Sequence, residues 1–279
     1  MSILPKQVTQ IGVSSADSGI IRKWFYSYVA GFKKADEKLR QNIVLKEEHT
    51  KRVCREILRI GKQLNLNDDE LRLAEITALL HDVGRFEQYA RYYTFRDQKS
   101  ENHAILGISI LKRLGVLDTM NEATRILILR VIGFHNRATL PHGESETCLF
   151  FTKLLRDADK LDIWKVVTDY YHRENGGRNG ALELDLPDTP EISEQVYQDL
   201  VNQRIVDVMH IRNLNDFKLL QIGWVFDINF SSTLRSVKSR RYLDLIRDVL
   251  PNTEEIRTVY NVVQAYLDHR LSEINEEVV

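Results

Sequence analysis

The sequence predicts an all-α protein, and three observations carry that expectation. Apolar residues recur at three- and four-residue steps through most of the chain. Capping residues and acidic first turns punctuate those runs. No stretch alternates at period two for long enough to make a convincing strand. Trp224-Val225-Phe226-Asp227-Ile228-Asn229-Phe230 comes nearest, and a helix end suits it equally well.

Residues 1–18 are polar and aperiodic and are expected to form a flexible N-terminal tail. From Ile20 to about Leu39 the aromatics Trp24, Phe25, Tyr28 and Phe32 give a helix one apolar face, for the core or for an oligomer contact. A helix over about 46–60 closes at Gly61, a C-cap position. Asn67, followed by Asp68-Asp69-Glu70, caps a helix that runs through Leu80. Further helices are expected at about 101–114, 121–134, 146–173, 192–211, 213–226, 231–249 and 253–275, with Pro251-Asn252-Thr253 separating the last two. The islands 86–100, 136–145 and 175–191 read as loops, and long loops in compact domains often border sites. Residues 19–190 form the expected helical core. Residues 191–279 form a C-terminal helical extension packed on it, with apolar faces at Val201, Ile205, Val208 and at Leu243, Ile246, Val249 for the core or a dimer.

Composition narrows the function classes. A formal net charge of -1 lacks the basic excess of a nucleic-acid or anionic-membrane binder. No apolar run approaches the roughly 20 residues that span a bilayer. The first residues lack a charged segment followed by an apolar stretch, so no secretory signal is expected and a cytoplasmic protein is. The two cysteines, Cys54 and Cys148, form no CxxC pair and sit in apolar-periodic segments, as buried thiols would.

The chemistry-bearing residues fall in the order His49, His81-Asp82, His103, His135, Asp159. Imidazoles and carboxylates converging from several elements are what a divalent ion requires. His81-Asp82 closes the apolar run Ile76-Thr77-Ala78-Leu79-Leu80, where an ionisable pair needs a partner because an unpaired buried charge is costly. A metal is one such partner and Arg85 is another; Arg85 could also pair with Glu87. His103 and His135 each lie at the end of an expected helix beside a polar loop, and Asp159 punctuates an apolar-periodic helix. Gly176-Gly177-Arg178-Asn179-Gly180 could cradle phosphate but reads better as a connector.

The set His49, HDVGR at 81–85, NHAILG at 102–107, GFHN at 133–136 and DADKLD at 157–162 resembles the HD superfamily of metal-dependent phosphohydrolases over roughly residues 45–165. The resemblance implies an all-α HD-domain bundle in which His49, His81, Asp82 and Asp159 hold one metal. In two-metal branches of that family, Asp82 would bridge to a second ion held by His103 and His135. The family's Ala-Asp-x-Leu context selects Asp159 over Asp157. By analogy with the deoxynucleotide triphosphohydrolase branch, Lys160 would touch substrate phosphate, and Arg85 stands where many members carry Lys. The cyclic-dinucleotide phosphodiesterase branch carries a further His-Glu and Gly-Tyr-Pro, where this chain has His135-Asn136-Arg137-Ala138-Thr139-Leu140-Pro141.

The expected activity is hydrolysis of a phosphate ester or anhydride of a small molecule, a nucleotide foremost, by metal-activated water. Asp82, Arg85 and Lys160 are the expected catalytic residues, and Asp162 could orient a ligand. One or two ions of Mn, Fe, Mg, Ni, Co or Zn would serve. The expected partners are the small phosphorylated substrate and a second copy of the chain, with no membrane and no nucleic acid. Two other classes fit the same residues: an HD-type di-iron oxygenase, and a metal-binding HD sensor or interaction module without catalysis.

Overall fold

The computed structural model describes residues 11–34, 36–173 and 177–276. Most of the expected tail, residues 1–10, and Gly176 of the glycine-rich loop lie outside the described residues. The described residues are helical and contain no strand, so the all-α expectation holds. No helix among them is long and apolar enough to cross a membrane.

The chain divides into two compact units, 1–159 and 160–279. In the first, α1 (Ser15–Phe32) starts inside the expected tail because Ser14 caps it, accepting from the Asp17 amide at 3.0 Å. It stops well short of residue 39, since Asp36 accepts from Leu39 N and starts α2 (Glu37–Gln63). α3 (Asp68–Leu80) opens on the full capping box of Asn67 and Glu70. α4 (Val83–Tyr92) occupies much of what the sequence suggested was loop. Val83, Phe86 and Tyr89 are buried at three-residue steps, a helical face masked by the Gly, Arg and Glu between them. Tyr93, left-handed at φ 52°, ends it. A 3₁₀ turn, Asp97–Lys99, leads to α5 (His103–Arg113), capped by Asn102. α6 (Glu122–Phe134) and α7 (Glu146–Tyr171) follow, and the division between the units falls inside α7.

Within this unit α2 packs along α3, α1 crosses α3 and α4, and α5 lies between α4 and α6. Ile21, Phe25 and Val29 of α1 are fully buried, with the Phe25 ring edge-on to Phe86 at 5.9 Å. Trp24 and Tyr28 stack beside them, only half-buried. α4 and α5 approach so closely at Gly84 that a Cβ there would lie 2.7 Å from the Gly107 amide nitrogen and closer still to the His103 carbonyl. Only glycine permits that crossing, and it brings the start of α5 beside the start of α4.

In the second unit the short α8 (Gly180–Glu183) is capped by Asn179, and Arg178 pairs with Glu183 at 2.6 Å. α9 (Glu194–Val201) ends ten residues before the expected 211, followed by left-handed Gln203. α10 (Leu214–Gly223) gives way to a 3₁₀ turn, Trp224–Asp227, the helix-end alternative for that segment. The single helix expected at 231–249 is two, α11 (Ser231–Ser239) and α12 (Tyr242–Asp248), broken at left-handed Arg241. α13 (Glu254–Glu276) packs on α9 and α11. The core of this unit centres on Trp164, whose indole donates to the Gln221 carbonyl at 2.9 Å and stacks on Tyr242.

Candidate metal centre

The six residues singled out as ligands come from five helical segments of the first unit and converge on one buried locus. His49 lies on α2, His81 and Asp82 cap the α3–α4 junction, His103 opens α5, His135 caps α6 and Asp159 lies on α7. His81 is fully buried, and His49, Asp82, His103 and His135 are nearly so.

The two oxygens of Asp82 face different histidines. Oδ2 lies 3.5 Å from His49 Nε2 and 3.6 Å from His81 Nε2. Oδ1 lies 3.4 Å from His103 Nε2 and 4.0 Å from His135 Nε2. Asp159 Oδ1 completes the first set, at 3.1 Å from His49 Nε2 and 3.7 Å from His81 Nε2. His49, His81 and Asp159, and likewise His81, Asp82 and His135, bring one ligand atom each within 4.8 Å of one another. Asp157, the rejected alternative, is buried in α7 and belongs to neither group.

Local structure fixes the imidazoles. His81 and His135 each cap a helix, and each Nδ1 lies 2.7 Å from the carbonyl three residues earlier, Ala78 O and Ile132 O. A carbonyl only accepts, so Nδ1 carries the proton and Nε2 presents a lone pair. His103 is fixed differently: its Nδ1 donates to Asp97 Oδ2 at 2.8 Å. The Nε2 atoms of His103 and His135 then face each other, two lone pairs 3.1 Å apart. That arrangement is repulsive without a cation between or beside them. His81 Nε2 and Asp159 Oδ1 are buried and make no hydrogen bond in the present geometry. Arg156 donates to the His135 carbonyl at 3.0 Å, tying α7 to the end of α6.

The electrostatics favour ligand-competent forms. Burial, then the neighbouring His103 and His81, pushes the His135 imidazole down to about 3. Burial and then Arg85 lower His103, so both rings are neutral near pH 7. Burial acts to raise the Asp82 carboxyl, but Lys46, followed by His81, Arg85 and His103, holds it well below the usual carboxylate range. Burial is likewise outweighed at Asp159 by the imidazoles of His49 and His81. Neutral imidazoles beside ionised carboxylates form the donor set of a borderline divalent ion, and the residues present fit one.

Arg85 is committed elsewhere. Its Nη1 donates to Phe95 O at 2.6 Å and to Gln88 Oε1 and Asp97 Oδ1, each at 2.9 Å, while Nε lies 3.6 Å from Asp82 Oδ1. Of its two expected carboxylate partners, Asp82 is near. Glu87 instead pairs with Arg91 and Arg113. Lys160 lies in the second unit, where its ammonium pairs with Asp227 at 2.6 Å, and Asp162 is buried there. His142 and His172 are exposed, and His210 and His269 pair with Asp199 and Glu273.

Two residues at the centre escaped sequence reasoning. Asp97 sits in Arg96-Asp97-Gln98-Lys99, whose mixed charge resembles a solvated loop. Lys46 lies one turn before His49 on α2 and places Nζ 2.7 Å from Asp82 Oδ2. The three-residue step to His49 was its one available signal.

The helical bundle of the first unit encloses a histidine–carboxylate cluster that could hold a metal ion. Residues 47–164 match the family model of the HD domain, which supports an HD domain over that segment, and all six converging residues lie inside it. Searches of the curated proteins and of the solved structures found no significant match. HD domains bind divalent metals and belong to a superfamily of metal-dependent hydrolase type.

Proposed function

We propose that this protein is a metal-dependent phosphohydrolase acting on a phosphate ester or anhydride of a small molecule, a nucleotide foremost. The observation that carries the reading is the two-sided placement of Asp82, one carboxylate oxygen toward His49 and His81 and the other toward His103 and His135. His49, His81, Asp82 and Asp159 would hold one ion, and Asp82, His103 and His135 a second. A divalent ion there supplies Lewis acidity, acidifying water and drawing charge off a phosphoryl oxygen.

The chain's own part is positioning and charge. The carbonyls of Ala78 and Ile132 and the Asp97 carboxylate keep three imidazoles rotated with Nε2 inward. Arg85 holds Asp97 and the Phe95 carbonyl, and so fixes the segment that orients His103. A phosphate contact by Arg85 or Lys160 would require either to leave its present carboxylate partner.

The test is metal analysis of protein purified without added metal, then phosphate release from nucleoside mono-, di- and triphosphates with Mn, Mg, Co, Ni and Fe. Bound metal with phosphate release is expected. No release across that panel would overturn the reading. Bound iron with oxygen uptake on a polyol or phosphonate would move the protein to the oxygenase class, since imidazole–carboxylate shells suit iron equally.

A further inference from the structure

We infer that Lys46 is the cation that receives the anionic oxygens of the substrate, and that it guards Asp82 while no metal is bound. The inference rests on the phosphohydrolase reading above and assigns its phosphate-binding residue.

Two cations flank Asp82, and they differ in freedom. Arg85 is locked, its Nη1 shared among Gln88, Phe95 and Asp97. Lys46 donates to Asp82 Oδ2 at 2.7 Å, the oxygen that also faces His49 and His81. Its side chain is 18% exposed, and Nζ lies 5.5 Å from the centre of the Phe95 ring. The ammonium therefore occupies the outer edge of a buried cluster, over the Phe95 ring, on a long, flexible stem.

If His49, His81, Asp82 and Asp159 held a divalent ion, Asp82 would be neutralised by it and the Lys46 ammonium would be repelled. Lys46 then holds an unpaired charge at a partly buried position, a costly state unless an anion meets it. A phosphoryl group entering the site would bring that anion, and a Lys–phosphate hydrogen bond is charge-assisted. Lys46 thus opposes metal binding when the site lacks an anion and favours the anion once metal is bound.

The opposite signs make the test. Metal affinity is measured with a competing chromophoric chelator, and inorganic phosphate binding by calorimetry on the metal-loaded protein, for wild type, Lys46→Met and Lys46→Arg. Lys46→Met is expected to bind metal more tightly and phosphate about tenfold or more weakly, and Lys46→Arg to recover part of the phosphate affinity. A structural role alone would weaken both. Equal phosphate affinity in wild type and Lys46→Met overturns the assignment alone, as does a Lys46→Met protein that loses metal. A metal-loaded wild type that binds no phosphate sinks this assignment and the phosphohydrolase reading together.

Discussion

Two buried aspartates, one in each unit, show how the same side chain can serve structure or chemistry. Asp216 of the second unit is fully buried and satisfied. It accepts from Ser193 N at 2.8 Å, Ser193 Oγ at 2.7 Å and Arg212 N at 2.9 Å, closing the turn before α10 onto the start of α9. Asp82 of the first unit is equally buried, but its neighbours are two cations and the Nε2 faces of four imidazoles, most beyond hydrogen-bond distance. Backbone N–H donors surround a carboxylate that clamps a loop. Imidazole lone pairs face the other, an arrangement that a cation would relieve. The partners, more than the burial, separate the two roles.

Substitution should divide them sharply. The largest effect is expected for Asp82→Ala, which should strip the metal and reduce phosphatase activity to background, read by elemental analysis and phosphate release. Asp97→Asn leaves all six ligands in place but weakens the acceptor that orients His103. Metal affinity should fall about 10–100-fold, measured by chelator competition. Asp216→Asn should do the reverse of Asp82→Ala: about 3 kcal/mol of stability lost in urea unfolding, from charged hydrogen bonds to two amides and a hydroxyl, with metal content unchanged. A variant at Asp216 that lost metal while remaining folded would break the comparison.

The smallest effect is on pH dependence. Burial, then His103 and His81, pushes His135 down to about 3 from an ordinary 6.5, and burial and Arg85 lower His103 as well. Below pH 6.5 the unfolded chain takes up protons that the folded rings refuse, so stability should fall as pH drops from about 6.5 toward 3. The depressed carboxyls of Asp82 and Asp159 act in the same direction below their ordinary 3.8. Thermal melts across that range should show the decline in the first unit, and His135→Gln should flatten it.

The candidate ligands were legible because each falls at a position that a one-dimensional pattern can mark. His81 and His135 end apolar helical runs, His103 follows a capping Asn102, and Asp159 interrupts an apolar stripe. The partners of those ligands were not. The Arg85–Asp97 pair spans 12 residues and the Lys46–Asp82 pair 36, and both depend on how helices meet rather than on any local period. α4 was hidden for a related reason. Its exposed face is rich in charge and it starts with a glycine at its second residue, so the buried Val83, Phe86 and Tyr89 looked incidental. The breaks inside the expected helices at 20–39 and 231–249 turn on single residues, Asp36 as a cap and Arg241 in a left-handed turn. Either residue type is compatible with continuing a helix.

The glycine crossing of α4 and α5 bears on how many ions one chain can carry. His103 is the candidate ligand on α5, and its carbonyl would meet a side chain at position 84 before anything else does. His49, His81 and Asp159 reach the centre on other helices. Gly84→Ala should therefore push His103 outward and cost the second ion while sparing the first, so that elemental analysis shifts from two equivalents toward one. The tally of metals would then be set by a single methyl group on the backbone, at a residue that binds nothing itself.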